Sequence, residues 1–219
     1  MAGDERFRET SIGLADYVVR NLPPDGPYQG QPPFSMWNCD RQAGNPILTL
    51  AAVCELTHDP AHRLALDRLV DFAVRVQDPK LGCWSVPNYE EPSRHYPSPA
   101  WGAVLPRGLH RYWEMTGDER VARAFRRLGD FHLAQHPPEA RHYLKPGSYY
   151  RTNFYFVTEA CAFATLFAAD PQALIEKGLA PLAETFPPAS PKALDARGAP
   201  GALSGASRLA GAAAMVRPN

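Results

Sequence analysis

Apolar positions in residues 58–79 recur at helical spacing. Leu66, Leu69, Val70, Ala73 and Val74 form one stripe, and Arg63, Asp67, Arg68 and Asp71 occupy the rest of the wheel. The same amphipathic pattern runs through 3–24 and 117–138, so each segment predicts a half-buried helix. A second, more apolar pattern precedes three such segments: Asn45-Pro46 to His58, Ser98-Pro99 to Thr116, and Thr152-Asn153 to Ala169. Runs such as ILTLAAVCEL and FVTEACAFATLFAA are apolar nearly all round, which predicts helices enclosed by other helices. Each opens on a capping residue, twice followed by Pro, as helix N-termini do. Pro106 falls inside the middle one and predicts a kink or break there.

These patterns are copies of one unit. GDERFRETSIGLADYVVRNLPP at 3–24 matches GDERVARAFRRLGDFHLAQHPP at 117–138, and HDPAHRLALDRLVDFAVRVQDP at 58–79 keeps the same skeleton. In all three an Asp in the opening turn precedes an Asp-aromatic pair by 12 residues: Asp4 to Asp16, Asp59 to Asp71, Asp118 to Asp130. A weaker fourth copy starts at Ala169-Asp170-Pro171 and runs to Pro187-Pro188. The opening Asp suits an N-cap. The recurring Asp16, Asp71 and Asp130 column predicts capping or pairing with a neighbouring helix rather than catalysis. The unit is therefore a hairpin of apolar helix, four-residue turn and amphipathic helix, followed by a long connection. Turn aspartates 55, 59 and 52 residues apart exceed the period of tetratricopeptide, ankyrin or HEAT repeats, about 33 to 47 residues, and fit an (α/α) toroid of alternating inner and outer helices.

Composition narrows the function classes. The chain has 219 residues, 45% of them hydrophobic and 21% charged, which is globular composition. Twenty-three basic residues balance 23 acidic ones, so the basic stripe of a nucleic-acid binder is not expected. No apolar run is long enough for a membrane span, and MAGDERFRETS has no secretory h-region, so the expectation is a cytoplasmic protein. Cys54 and Cys161 lie in apolar helical runs and read as buried thiols. Cys39 and Cys83 lie in long connections, where a reducing compartment disfavours a disulfide.

The phrase Leu-Thr-x-Asp-Pro or Met-Thr-Gly-Asp-Glu-Arg, set between an apolar helix and a helix ending in Asp-aromatic, resembles the six-hairpin glycosidase-like superfamily. That group holds (α/α)-toroid glycoside hydrolases, polysaccharide lyases and the helical domains of uronate epimerases. The resemblance covers residues 3–188 and implies an all-α fold of repeated antiparallel hairpins in a partial toroid, with long loops on one face. Such toroids close with about six or seven hairpins, whereas three and a half are counted here, so the toroid is expected to be incomplete. An open one exposes apolar helix faces at both ends and favours self-association. Residues 189–219, rich in Ala, Gly and Pro without aromatics, are expected to form a disordered tail outside a 1–188 helical domain.

Function is expected on the long connections 22–43, 78–97 and 136–151, which a hairpin array sends out at one end. They carry nine of the 23 aromatics: Tyr28, Phe34, Trp37, Trp84, Tyr89, Tyr96, Tyr143, Tyr149 and Tyr150. Flat rings beside polar groups suit a carbohydrate cleft, with Trp37, Asn38, Trp84, Tyr89, Trp101, Tyr149 and Asn153 as candidate substrate contacts. The competing reading is that these rings only pack the loops against the helix ends.

Two chemistries compete in such a cleft. Removing the proton α to a uronate carboxylate needs a Tyr or His base and a group that absorbs charge on the enolate. His95, Tyr96, Tyr150 and Arg151 are the candidates. Glycoside hydrolysis needs two carboxylates, for which Asp40 and Glu90 stand among aromatics. Six loop cations match six loop acids before His95 and His142 are counted, a balance that leans toward an anionic sugar. A noncatalytic glycan- or protein-binding module and an inactive fragment are the other readings. No metal or cofactor is expected. His132/His136 and His58/His62 sit four apart but have no third ligand, and read as surface histidines. There is no G-x-G-x-x-G, Walker A or G-x-S-x-G sequence.

Overall fold

A computed structural model describes residues 5–21, 43–80, 82–87, 95–97, 104–134 and 154–177. They form helices α1 (Glu5–Asn21), α2 (Gly44–Thr57), α3 (Pro60–Arg75), α4 (Val104–Thr116), α5 (Glu119–Leu133) and α6 (Phe154–Thr165), with a short α7 at 171–177. The described residues are helical apart from one two-stranded antiparallel ribbon, β1 (Ser85–Pro87) and β2 (His95–Pro97), in which Val86 faces Tyr96. That ribbon lies within a connection expected to be irregular. Residues 189–219 and most of the three connections fall outside the described residues.

The repeat is visible atom by atom in the tight turns. Thr57 donates its hydroxyl back to Val53 O at 2.9 Å and accepts from the Asp59 N–H at 3.3 Å. Thr116 repeats this with Tyr112 O at 2.8 Å and the Asp118 N–H at 3.2 Å. The intervening residue is left-handed in both turns, His58 at φ 55° and Gly117 at φ 66°. Each Asp then caps the next helix: Asp59 accepts from the Ala61 N–H and Asp118 from the Arg120 N–H, both at 2.8 Å. Asp170 caps α7 through the Ala173 N–H at 3.0 Å. A cap of this kind stabilises a helix by about 1 kcal/mol.

The hairpins stack in two rows. The apolar helices α2, α4 and α6 contact one another in sequence, and the amphipathic helices α1, α3 and α5 do the same. Within each hairpin, α2 packs on α3 and α4 on α5, while α1 also packs on α2 and α5 on α6. One core cluster unites these elements, from Ala15 through Ile47, Leu69, Leu109 and Phe125 to Phe163. The α2–α4 contact is close enough to exclude side chains. A Cβ on Gly44 would stand 2.7 Å from the backbone of Val104 and Leu105, and one on Gly108 would stand 2.9 Å from Gly44 O.

Pro106 lies within the described part of α4, Val104–Thr116, and is buried, while residues 98–103 that precede it lie outside the described residues. His62 and His132, expected at the surface, are buried instead. His62 is taken up by an inter-helix pair: its Nε2 lies 2.8 Å from Asp16 Oδ1, while Nδ1 lies 3.4 Å from Thr57 Oγ1. Asp71 pairs with Arg120 in the same manner, so two members of the Asp column bridge outer helices.

Candidate functional site

Geometry at one end of the array follows from the direction of the apolar helices. Gly44 abuts Val104 at the start of α2 and α4, and Glu55 meets Arg111 at 2.5 Å further along both, so the two helices run parallel. Arg107 meets Glu159, His110 meets Phe163 and Trp113 meets Phe167, so α4 and α6 advance in the same direction as well. The described starts of α2, α4 and α6 therefore lie toward one end, and the long connections precede them in the sequence.

Arg107 and Glu159 are the chemistry the structure adds at this end. The guanidinium and carboxylate form a bidentate pair, Nε to Oε1 at 2.5 Å and Nη2 to Oε2 at 2.6 Å. Glu159 is fully buried, whereas the Arg107 side chain is 33% exposed. A fork-to-fork pair of this kind fixes the plane of the guanidinium. Sequence reasoning passed over both residues. The signal was present: Glu159 is the only charged residue in FYFVTEACAFAT, a helix otherwise fit for an enclosed position. A lone charge on such a helix needs a partner on a neighbour.

Behind this end, α4, α5 and α6 are locked by rings. Phe167 stacks on Phe125 with centroids 4.9 Å apart and meets Trp113 edge-on at 4.8 Å. His110 lies 5.1 Å from Phe163. The site end is thus carried on a stiff base.

The start of the second connection is pinned to the helices. Gln77 is buried and donates to Gly82 O at 2.7 Å and Ala124 O at 2.8 Å. Asp78 accepts from the Lys80 N–H at 2.8 Å and closes a local turn. Gly82 adopts φ +80° where the chain passes the backbone of Arg127. Cys83 is a buried free thiol whose pKa burial pushes up to about 12, with Asp78 adding to the rise. Trp84, expected to contact substrate, is only 5% exposed and donates its indole N–H to Ala73 O at 2.9 Å. For Trp84 the packing alternative prevails: its ring fastens the connection to α3.

Other sequence-derived candidates divide by location. His95 and Tyr96 lie in β2, opposite Pro87 and Val86, so the backbone brings both into the ribbon of the α3–α4 connection. Trp37, Asn38, Asp40, Tyr89, Glu90, Trp101, Tyr149, Tyr150, Arg151 and Asn153 lie outside the described residues. No three His, Cys, Asp or Glu side chains form a metal-binding group among the described residues, and no described helix is long and apolar enough to cross a membrane. No protein-family model, curated protein or solved structure matches the chain.

Proposed function

We propose that the chain is a carbohydrate-active protein, a partial (α/α) toroid that acts on a uronate-containing poly- or oligosaccharide by lyase- or epimerase-type proton abstraction. The observation that carries this reading is the shared end of the three parallel apolar helices. The aromatic- and cation-bearing connections lead in sequence into these three helices, and Arg107 stands in the first half of the described α4. Two rows of helices, one apolar and one amphipathic, support the toroid arrangement. Three buried free thiols among the described residues support a reducing, cytoplasmic setting.

In this reading a uronate carboxylate is drawn to the cations of the connections, and aromatic rings of the connections hold the sugar faces. His95 or Tyr150 takes the proton α to the carboxylate, and Arg151 offsets the charge that develops on the enolate. In a lyase, the electron pair then forms the double bond as the C4–oxygen bond breaks, and the leaving oxygen takes up a proton. In an epimerase, a proton returns to the opposite face. No cofactor is needed for either course.

Incubation with a panel of uronate-containing polysaccharides tests the proposal. The expected result is an unsaturated product that absorbs in the ultraviolet, or an inverted uronate centre, with the reaction abolished by His95→Ala and by Tyr150→Phe. Wild-type rates in both variants would reject the assignment. New reducing ends without unsaturation would mean hydrolysis through Asp40 and Glu90, and binding without product would mean a noncatalytic module.

A further inference from the structure

Helix α1 carries two apolar faces, and the described residues cover only one. Ala15 is buried against the array, with Ile12, Val18 and Val19 packed around it. On the adjoining face Phe7 is 76% exposed, Leu14 55% and Tyr17 61%. With Thr10 and Asn21 they form one uncharged stripe at helical spacing. In the repeat register Phe7, Leu14 and Tyr17 correspond to His62, Leu69 and Phe72 of α3, and to Val121, Leu128 and Phe131 of α5. All six counterparts are buried. In both of those hairpins an apolar helix packs on the outer one, α2 on α3 and α4 on α5. The open stripe on α1 therefore fits an apolar helix of the inner type.

The order of the repeat supplies such a segment. Each amphipathic copy is followed by a connection and then by an apolar helix: Pro23-Pro24 leads to α2, Asp78-Pro79 to α4 and Pro137-Pro138 to α6. The fourth copy ends at Pro187-Pro188, so an apolar helix is due next. ALSGASRLAGAAAMV at 202–216 has that pattern. Ala202, Ala206, Leu209, Ala213 and Val216 form one stripe at helical spacing, with Ser204, Ser207, Arg208 and Gly211 opposite. Arg208 is the only charged residue in the segment. Gly201 before it and Arg217-Pro218 after it suit a helix start and stop. Composition alone assigns 189–219 to a tail, whereas the repeat order assigns 202–216 to the array.

We infer that residues 202–216 of the same chain form an apolar helix that covers Phe7, Leu14 and Tyr17 of α1. The two stripes match in size: the alanines of the segment leave room for the large side chains of α1. They match in length as well. A helix over 202–216 is about 22 Å long, and the stripe from Phe7 to Asn21 spans about 21 Å. Leu209, at the middle of one, falls beside Leu14, at the middle of the other. The chain can reach. Helices α1, α2, α4 and α6 contact one another in turn, three steps of about 10 Å, while residues 189–201 alone stretch to about 43 Å. A tethered segment is present at an effective concentration of about millimolar, so it outcompetes the same segment of another copy in dilute solution.

Cross-linking of the full chain with a short bismaleimide tests the contact. In a Cys39→Ser background, with Cys54, Cys83 and Cys161 buried, Leu14→Cys and Leu209→Cys together should link within one chain. The rate should be at least tenfold that of Leu14→Cys with Ser207→Cys, which lies on the polar face of the segment. Equal rates for the two pairs would overturn the inference. A product of doubled mass in place of the internal link would overturn it too, because the segment would then lie on another copy. Denaturation gives a second reading: Leu209→Glu should lower the urea midpoint, while Ser207→Glu should leave it at the wild-type value. A wild-type midpoint in Leu209→Glu would show that the segment lies outside the fold. These readouts are independent of any sugar chemistry.

Discussion

Asp71 in the second half of α3 accepts a 2.5 Å hydrogen bond from Arg120 in the first turn of α5. Arg120 also clamps Asp118, the cap of its own helix, and this hydrogen bond holds the Asp118 carboxyl below the usual carboxylate range. One guanidinium thereby joins two outer helices and the turn between an apolar helix and its partner. Both Arg120 and Asp71 are about half exposed, so water screens the attraction. A double-mutant cycle with Asp71→Ala and Arg120→Ala, read by urea denaturation, should give a coupling below about 1 kcal/mol that shrinks in high salt. A coupling of several kcal/mol would show that the pair is far better shielded than its exposure indicates.

The Arg107–Glu159 pair should behave in the opposite way. Arg107→Met strips a buried carboxylate of its bidentate partner and should cost about 3–5 kcal/mol in unfolding free energy. Glu159→Gln keeps the volume and one accepting oxygen, loses the second acceptor, and leaves no buried carboxylate without its partner, so it should cost less. Denaturant midpoints of the two variants check the order, and equal losses would contradict the burial asymmetry across the pair.

His58 occupies a left-handed position that Gly117 fills in the next copy of the turn. His58→Gly should raise stability by roughly 0.5–1 kcal/mol, because the Cβ penalty disappears. Gly117→Ala should lower stability by a similar amount. Thermal unfolding of both variants measures the pair of effects, and a loss in His58→Gly would show that the imidazole contributes more than its conformation costs.

Alkaline pH should erode the fold. Burial pushes the Cys161 and Cys83 thiols from 9.0 up to about 12, and burial with the bond to Asp67 pushes the Tyr112 hydroxyl from 10.0 to about 12. The unfolded chain releases these protons first. Stability is therefore complete below about pH 9 and falls as pH rises through 12. Urea midpoints between pH 8 and 11 should fall steadily, and Tyr112→Phe should flatten the decline. A midpoint independent of pH over that range would mean these groups titrate alike in both states.

Much of the helical architecture was legible in the chain because its signals are local. The Thr-x-Asp turns, the Asp caps and the apolar stripes each act within one helical turn, so residues 57–59 and 116–118 announce themselves. The structural role of Asp16 and Asp71 was legible too, because a residue recurring on three copies of a helix serves the copies. Trp84 misled because an aromatic in a long connection can point outward or inward, and that choice was made by a carbonyl at Ala73. Glu159 and Arg107 stand 52 residues apart, and only the packing of α4 on α6 brings them together.

The closed circuit of Thr57, His58 and Asp59, repeated at 116–118, has a kinetic corollary. Every bond in it spans five residues or fewer, so a hairpin needs no distant neighbour to fix its own bend. Chains assembled from such autonomous corners are expected to collapse quickly, one corner at a time, and to pay for long-range order only when the rows dock. Growth or shrinkage of the array over evolutionary time is then simplest by whole corners, each arriving with its bend already specified.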